Sequence, residues 1–238
     1  MAEIDLERAG RRITAALFVA QAMFSAALIA AFTLSPILAA EMGGSETATG
    51  LPTFLNLISR AILAYPLGWL LDRFGRRVGL SLGYLTGVAG AVLTVWSVLE
   101  GSFAGFLAGA FLFGGSRAAA EQGRYVAAEV MPAGRRARVI GIVVAAGTLG
   151  AVFGPLAVGP SSRWAEGAGL VADAGPFVAS AVGLILALLI TFLFLRPDPR
   201  ELGQRLALLE QARDGEGASL RPARPMRQIF RHPMVILA

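Results

Sequence analysis

Six long apolar stretches dominate the sequence and decide what the chain can fold into. They cover residues 15 to 38, 50 to 71, 78 to 99, 104 to 130, 139 to 159 and 175 to 195. Each is long enough to cross a bilayer, because a helix needs about 20 residues for the hydrocarbon core. With 55% hydrophobic and only 16% charged residues, the chain is too apolar for an ordinary soluble domain. The sequence therefore predicts an all-α membrane protein with six transmembrane helices in the lipid bilayer.

A cleavable signal peptide is the alternative interpretation of the first stretch, since it ends in the small residues of "ILAAE". Its apolar run is, however, about twice the length expected of a signal peptide. The acidic residues Glu3, Asp5 and Glu7 also precede it, where a signal peptide carries positive charge. We therefore expect this stretch to be a retained membrane helix.

Residues that support catalysis or metal binding are scarce. The chain has no cysteine, and its single histidine is His232. Neither a thiolate site nor a histidine cluster can be built from this set. We therefore expect no enzyme activity, no metal and no cofactor.

The charged residues predict the orientation in the membrane. Arginines concentrate before the first stretch, between the second and third, between the fourth and fifth, and after residue 195, whereas the opposite loops are mainly acidic. By the positive-inside rule both termini are cytoplasmic, and we expect a bacterial cytoplasmic membrane. We expect no nucleic-acid partner, because no basic face interleaved with aromatic residues lies outside the predicted helices.

The order of these segments predicts four regions. We assign residues 1–13 to a cytoplasmic N-terminus, 14–196 to the six-helix bundle, 197–233 to a cytoplasmic linker and 234–238 to the start of a truncated seventh helix. Two prolines stop the sixth helix, and Asp198 can cap an amphipathic helix that begins the linker. Outside, "GPSSRWAEGAGLVADAG" is predicted to be the one long loop. The chain is then the first half of a longer protein, or a half that needs a partner.

The ten residues "GWLLDRFGRR", 68 to 77, follow the second stretch and concentrate charge at its end. They resemble the loop signature of the major facilitator superfamily, between helices 2 and 3, through seven residues: Gly68, Leu70, Asp72, Arg73, Gly75, Arg76 and Arg77. The resemblance implies two six-helix halves around a central path, each built from two three-helix repeats of inverted topology. It also implies secondary transport of a small molecule by alternating access.

The resemblance also implies a role for this loop as a conformational latch. In the family, the aspartate and arginine form a charge relay with an acid at the cytoplasmic end of helix 4 and brace against the second half, which holds the outward-open state. Here that acid is Glu129, and Arg135 or Arg136 is available to join it.

The fifth stretch contains "GIVVAAGTLGAVFGPLAVG", which resembles the antiporter signature of proton-coupled drug exporters in the same family. The matching residues are Gly141, Gly150, Gly154, Pro155 and Gly159, while Val158 replaces the first of two closing glycines. Glycines four residues apart let a neighbouring helix approach closely, and a proline bends its helix. The alternative is that these small residues serve packing alone.

Charged residues inside the second and fourth stretches predict a central polar path. Arg60 lies about 18 Å along helix 2 from Asp72, near mid-bilayer, at a cost of at least ~2.5 to 3.5 kcal/mol. Asn56 shares its face, and Gln21 of helix 1 is a weaker candidate.

Helix 4 repeats this pattern, because Arg117, Glu121 and Arg124 lie on one helical face. Two guanidinium groups at similar depth favour an anionic ligand, or an ionised Glu121 between Arg60 and Arg117. Glu121 is the candidate proton carrier, with Asp72 as the alternative proton site. A purely structural Arg117 to Glu121 pair is the simpler interpretation.

Together these features predict a secondary active transporter of small molecules, with proton-coupled efflux driven by the proton gradient. Two alternatives remain open: a uniporter or importer of the same fold, and a transport-inactive half that needs a partner.

Overall fold

The computed structural model describes residues 2–213, and every regular element in that range is helical. The α-helices are α1 (Ala2–Gly43), α2 (Leu51–Phe74), α3 (Arg76–Glu100), α4 (Phe103–Glu129), α5 (Arg136–Gly167), α6 (Gly175–Phe194) and α7 (Pro199–Arg213). Within this range six helices, α1 to α6, are long and apolar enough to cross a membrane. The predicted six-helix bundle is therefore confirmed. The rest of the predicted linker and the predicted start of a seventh helix lie outside the described residues.

Local residue chemistry explains several helix limits. Pro52 and Pro176 stand in the first turns of α2 and α6, where a missing backbone N–H costs nothing. The hydroxyl of Ser102 caps α4 by accepting a hydrogen bond from the backbone N–H of Gly105. Helix α6 ends at Phe194, shortly before Pro197 and Pro199, the two prolines that predicted its end.

The predicted long outer loop is wrong, because α5 continues to Gly167 with both Pro155 and Pro160 inside it. The Ser161 hydroxyl donates a hydrogen bond to the carbonyl of Val158 at 2.9 Å, so it bonds the backbone of the preceding turn of the same helix. The start of α6 at Gly175 packs directly on the backbone of Ser161. Tertiary packing therefore keeps helical the first part of a segment that the sequence analysis predicted to be a loop.

The helices pack so that α1 contacts α5 and α6, α4 contacts α2 and α3, and α3 contacts α6. One apolar cluster fills the middle and one end of the bundle, with Phe24, Tyr84, Phe106, Phe113, Phe177 and Leu184 among its members. A second cluster lies at the end where α1 begins, and includes Leu17, Leu71, Leu80, Val143, Leu195 and Leu202. Since Leu202 belongs to α7, the first turn of that helix is packed on the bundle. The compact unit extends to Leu206, and a second unit begins at Ala207, within α7.

Helices α2 and α5 are the least buried of the six. Large apolar side chains stand exposed along both, including Tyr65 at 81% and Leu156 at 64%. Both helices therefore present a large uncovered apolar surface.

Candidate functional site

A cluster of three charged side chains links α2 to α4 partway along both helices. The Arg60 Nη2 atom lies 2.8 Å from Glu121 Oε2, and the Arg117 Nε atom lies 3.5 Å from Glu121 Oε1. The carboxylate of Glu121 therefore lies between two guanidinium groups that come from different helices. The predicted position of Glu121 between Arg60 and Arg117 is what the structure has.

This cluster opens onto a cavity of about 360 Å³ between α2 and α4. The lining residues are Leu57, Arg60, Ala61, Ala64, Ala118, Glu121 and Gln122. The three charged side chains are 31 to 39% exposed, and two of them, Arg60 and Glu121, line the cavity. A charge in a membrane helix is tolerated where it is paired and faces such a cavity. The arrangement can bind a proton at Glu121, or an anionic group at the two arginines.

Arg60 and Glu121 line this cavity, whereas Arg117 and the other predicted path residues do not. Asn56 is only 1% exposed, and its Nδ2 atom donates a hydrogen bond to the carbonyl of Ala110 at 3.4 Å, which links α2 to α4. Gln21 lies beside Gly147 of α5. These two polar side chains therefore stand at helix contacts in this conformation.

Arg124, on the same helical face as Glu121, has a different environment. Its guanidinium lies 4.9 Å from the centre of the Tyr125 ring. Its Nε atom is buried and has no hydrogen-bond partner among the described residues. Arg124 is thus a charged group in the bundle whose hydrogen-bonding capacity is incompletely used.

A second charged cluster lies at the end of the bundle where α1 begins, and Arg76 is its centre. Arg76 donates two hydrogen bonds to the carboxylate of Glu129, at 2.9 and 2.8 Å, and a third to Asp72 Oδ1 at 2.6 Å. The paired geometry towards Glu129 is the strong bidentate form. Arg76, the first residue of α3, thus connects the ends of α2, α3 and α4, and its partner Glu129 is the acid that the loop resemblance indicated.

The linker joins this cluster through Asp198, which the sequence predicted only as the cap of the helix that follows it. Asp198 Oδ1 accepts a hydrogen bond from the backbone N–H of Arg200 at 2.9 Å, so it caps α7 as predicted. The same carboxylate accepts from the backbone N–H groups of Arg76 and Arg77 at 3.2 and 3.1 Å. A carboxylate is stabilised at a helix N-terminus by these free N–H groups and by the helix dipole. The Asp198 carboxylate therefore caps the N-termini of both α3 and α7.

This contact explains Gly75. Its φ is +92°, and a Cβ atom there would lie 2.5 Å from Asp198 Oδ2. Both the backbone conformation and the space next to the carboxylate thus require glycine. The Arg200 guanidinium also donates a hydrogen bond to the backbone carbonyl of Asp72, so the linker holds both sides of the turn.

The remaining loop residues have separate environments. The Arg77 Nε atom donates a hydrogen bond to the carbonyl of Phe192 at 2.8 Å, and the Arg73 guanidinium lies over the ring of Trp69. A Cβ atom on Gly68 would meet no atom of the described residues within 4 Å, so this glycine faces open space. Arg135, which was predicted to be available to the relay, donates a hydrogen bond to Glu7 of α1 at 2.7 Å.

The four glycines of the α5 signature divide into two pairs. A Cβ atom on Gly150 would lie 2.4 Å from the carbonyl oxygen of Ala22, and one on Gly154 would lie 2.8 Å from the Cβ of Ile29. These two glycines therefore allow α1 to pack closely on α5. Gly141 and Gly159 have no such neighbour among the described residues. The exposed Pro155 follows Gly154 in the helix interior.

Comparison with known proteins gives consistent results. Residues 15–238 match the sequence model of the Major Facilitator Superfamily. An uncharacterised transporter of this type from Bacillus subtilis (strain 168), YddS, is 34% identical over 83% of this chain and 45% of its own length. A second such protein from the same organism, YdeG, is 32% identical over 76% of this chain and 42% of its own length. The riboflavin transporter RfnT of Brucella anthropi is 26% identical over 97% of this chain and 54% of its own length. The chain thus spans about half the length of the curated relatives that it matches.

The fold has a solved counterpart. The crystal structure of the human organic anion transporter MFSD10 (TETRAN) superposes with a TM-score of 0.62, at 20% identity, over 80% of this chain and 48% of that chain. This similarity confirms the half of a major facilitator fold that the six helices and the α2–α3 loop predicted. The chain therefore belongs to the Major Facilitator Superfamily.

Proposed function

We propose that this chain is the N-terminal half of a secondary active transporter that moves a small molecule by alternating access, with efflux driven by the proton gradient. Family membership and the six apolar helices make the chain an integral membrane protein. The observation that carries the proposal is the cluster of Arg60, Glu121 and Arg117 on the cavity between α2 and α4. No catalytic role is assigned to any residue.

Glu121 is the proposed proton carrier. When Glu121 is ionised, its negative charge partly compensates the positive charges of Arg60 and Arg117, and its ion pair with Arg60 connects α2 to α4. When it binds a proton, the ion pairs are lost and the arginines need another anionic partner. Protonation thus changes both the charge of the cavity and the contact between the two helices, which is what coupling a proton to a conformational change requires.

The Arg76 cluster is the proposed latch of the alternating-access cycle. It connects α2, α3 and α4 at the end where α1 begins. The side chain of Asp72 is 73% exposed, so its free oxygen is available to helices of a second half. That half is the proposed partner, and the uncovered apolar faces of α2 and α5 support its docking there.

The direction of transport is proposed from α5. Its glycine pattern resembles the antiporter signature, and Gly150 and Gly154 allow a close contact with α1 along which the helices can slide. In efflux by exchange, substrate and proton bind in turn. A substrate that donates hydrogen bonds to ionised Glu121 satisfies this requirement.

A second candidate is movement of an anion and a proton in the same direction. It is favoured by one observation, the placement of Glu121 between two guanidinium groups. A proton on Glu121 frees both arginines for an anionic group, so proton and anion bind together rather than in turn. The two candidates therefore predict opposite directions of substrate flow in the same pH gradient.

The similar proteins suggest the first candidate substrates. Riboflavin is the substrate in the name of the Brucella anthropi relative, and the two arginines that pair with Glu121 favour molecules with an anionic group. A vesicle screen begins with these compounds.

The experiment uses the protein reconstituted in vesicles, with a pH gradient imposed in each direction. In the wild-type protein we expect the substrate to move in the direction opposite to the flow of protons down their gradient. Glu121→Gln keeps the size of the side chain and removes its charge, so flux should become independent of pH. Glu100→Gln is the matched control, because Glu100 ends α3 and lies away from the cavity. Gradient-driven substrate flux that is unchanged in Glu121→Gln contradicts the proposal. Substrate flux in the same direction as the proton flow selects the second candidate.

A further inference from the structure

A second, larger cavity lies between α1 and α5, at the end of the bundle where α1 begins. Its volume is about 680 Å³. The lining residues are Arg11, Thr14, Ala15, Phe18, Val19, Met131, Arg135, Arg138, Val139 and Ile142. It shares none of these residues with the cavity around Glu121, so it is a separate site.

The cavity carries an excess of positive charge at one end. Arg11 and Arg135 both pair with the single carboxylate of Glu7, at 3.3 and 2.7 Å. Arg138 is exposed and makes no ion pair with any residue that the structure describes. Three guanidinium groups thus face one carboxylate, and the site is complementary to an added anion.

The walls of the cavity become apolar in the direction of the bundle centre. Along α1, Ala15 and Phe18 follow Arg11 by one and two turns, about 6 and 10 Å deeper at the rise of a helix. Along α5, Ile142 follows Arg138 by one turn. Both helices therefore present charge first and then an apolar surface, so the cavity matches a molecule with an anionic head and an apolar tail.

Thr14 gives an independent indication that the cavity has an occupant. It lines the cavity at only 9% exposure, and its hydroxyl has no hydrogen-bond partner among the described residues. A threonine within a helix ordinarily bonds to a carbonyl one turn earlier. A buried hydroxyl without a partner is costly unless a ligand or water satisfies it.

We propose that this cavity binds one anionic phospholipid, with its phosphate at Arg11, Arg135 and Arg138 and an acyl chain along Phe18, Val19 and Ile142. Basic pockets between membrane helices are suited to anionic headgroups, and in this cavity an apolar wall adjoins the charged end as an acyl chain adjoins a phosphate. A small soluble anion needs only the arginines and leaves the apolar wall empty. The length of that wall therefore favours a lipid.

The test is native mass spectrometry of the protein released from mixed vesicles of phosphatidylglycerol and phosphatidylcholine. We expect one retained phosphatidylglycerol per protein. One kcal/mol for each arginine near the membrane surface corresponds to about fivefold in affinity. Arg138→Gln should therefore reduce retention about fivefold, and the double variant Arg11→Gln, Arg138→Gln about 25-fold.

Two variants separate a specific site from general attraction or misfolding. Arg138→Lys keeps the charge and should retain the lipid. Arg8→Gln removes an exposed arginine of α1 that does not line the cavity, so its retention should equal that of the wild-type protein.

Three results overturn the proposal. The first is equal retention of phosphatidylcholine and phosphatidylglycerol, and the second is equal loss in Arg8→Gln and Arg138→Gln. The third is displacement of the lipid by millimolar inorganic phosphate, which identifies a site for soluble anions.

Discussion

Arg60 of α2 and Glu121 of α4 form an ion pair of 2.8 Å between two apolar helices, with Arg117 on the other carboxylate oxygen. Removing one member of such a pair leaves the other charge without compensation. Substitutions in this cluster therefore test binding and helix contact together, and need controls outside it.

Arg60→Ala should weaken binding of a transported anionic compound by on the order of tenfold or more, because a hydrogen bond to a charged group is lost. Isothermal titration of the purified protein measures the dissociation constant. Arg163→Ala, at the far end of α5, is the control. An unchanged dissociation constant in Arg60→Ala assigns this arginine to structure alone.

Asp72→Asn should impair transport while substrate binding stays near normal. The Asp72 side chain bonds Arg76 but is otherwise exposed, so its charge belongs to the proposed latch and does not line the cavity. Flux in vesicles and the dissociation constant are measured on the same preparation. Asp173→Asn, an exposed acid in the turn before α6, is the matched control. Parallel loss of binding and flux contradicts the latch.

Asp198→Ala should lower the stability of the bundle by about 1 to 2 kcal/mol, since α3 and α7 both lose a capping carboxylate. Gly75→Ala should act in the same direction, because alanine is strained at its φ of +92° and its Cβ meets Asp198. Melting temperature in detergent is the measurement. Asp173→Ala should leave it unchanged. A wild-type melting temperature in both test variants would show that these contacts do not hold the corner together.

Gly150→Leu should destabilise the bundle strongly, because its side chain meets the backbone of Ala22. Gly141→Leu introduces the same side chain on the same helix into open space and should be tolerated. Equal melting temperatures of the two variants would rule out a close α1–α5 contact at Gly150.

Cysteine labelling tests the proposed orientation, and the chain contains no cysteine that would give background. In intact cells, Glu46→Cys should react with a membrane-impermeant maleimide, whereas Arg8→Cys should react only after lysis. Both residues are exposed, and they are separated by the length of α1, because Arg8 lies near its start and Glu46 follows its end at Gly43. The reverse pattern of labelling places the N-terminus outside.

The sequence predicted the features that depend on local pattern. Apolar length predicted six helices, and the spacing of Arg117 and Glu121 on one helical face placed Glu121 where Arg60 meets it. The loop resemblance indicated Glu129 as the partner of Arg76. These results follow from helix periodicity and from depth along neighbouring helices.

The features that the sequence did not predict depend on contacts between distant segments. Asp198 lies more than a hundred residues from Arg76, so only the folded chain brings its carboxylate to the start of α3. The extension of α5 through Pro160 likewise depends on packing against α6. Asn56 shares a helical face with Arg60, yet helix packing encloses it. Periodicity identifies a face but not the depth to which a neighbouring helix covers it.

Asp198 has a mechanical consequence. Because one carboxylate caps two helices, residues 75–77 and residues 198–200 are held together by the same hydrogen-bonded group. The buried side chain of Leu202 packs into the second apolar cluster and so holds the start of α7 on the bundle. The first turn of α7 must therefore travel with the six-helix bundle in any rocking motion, and the pivot of such a motion cannot lie at the exit of α6.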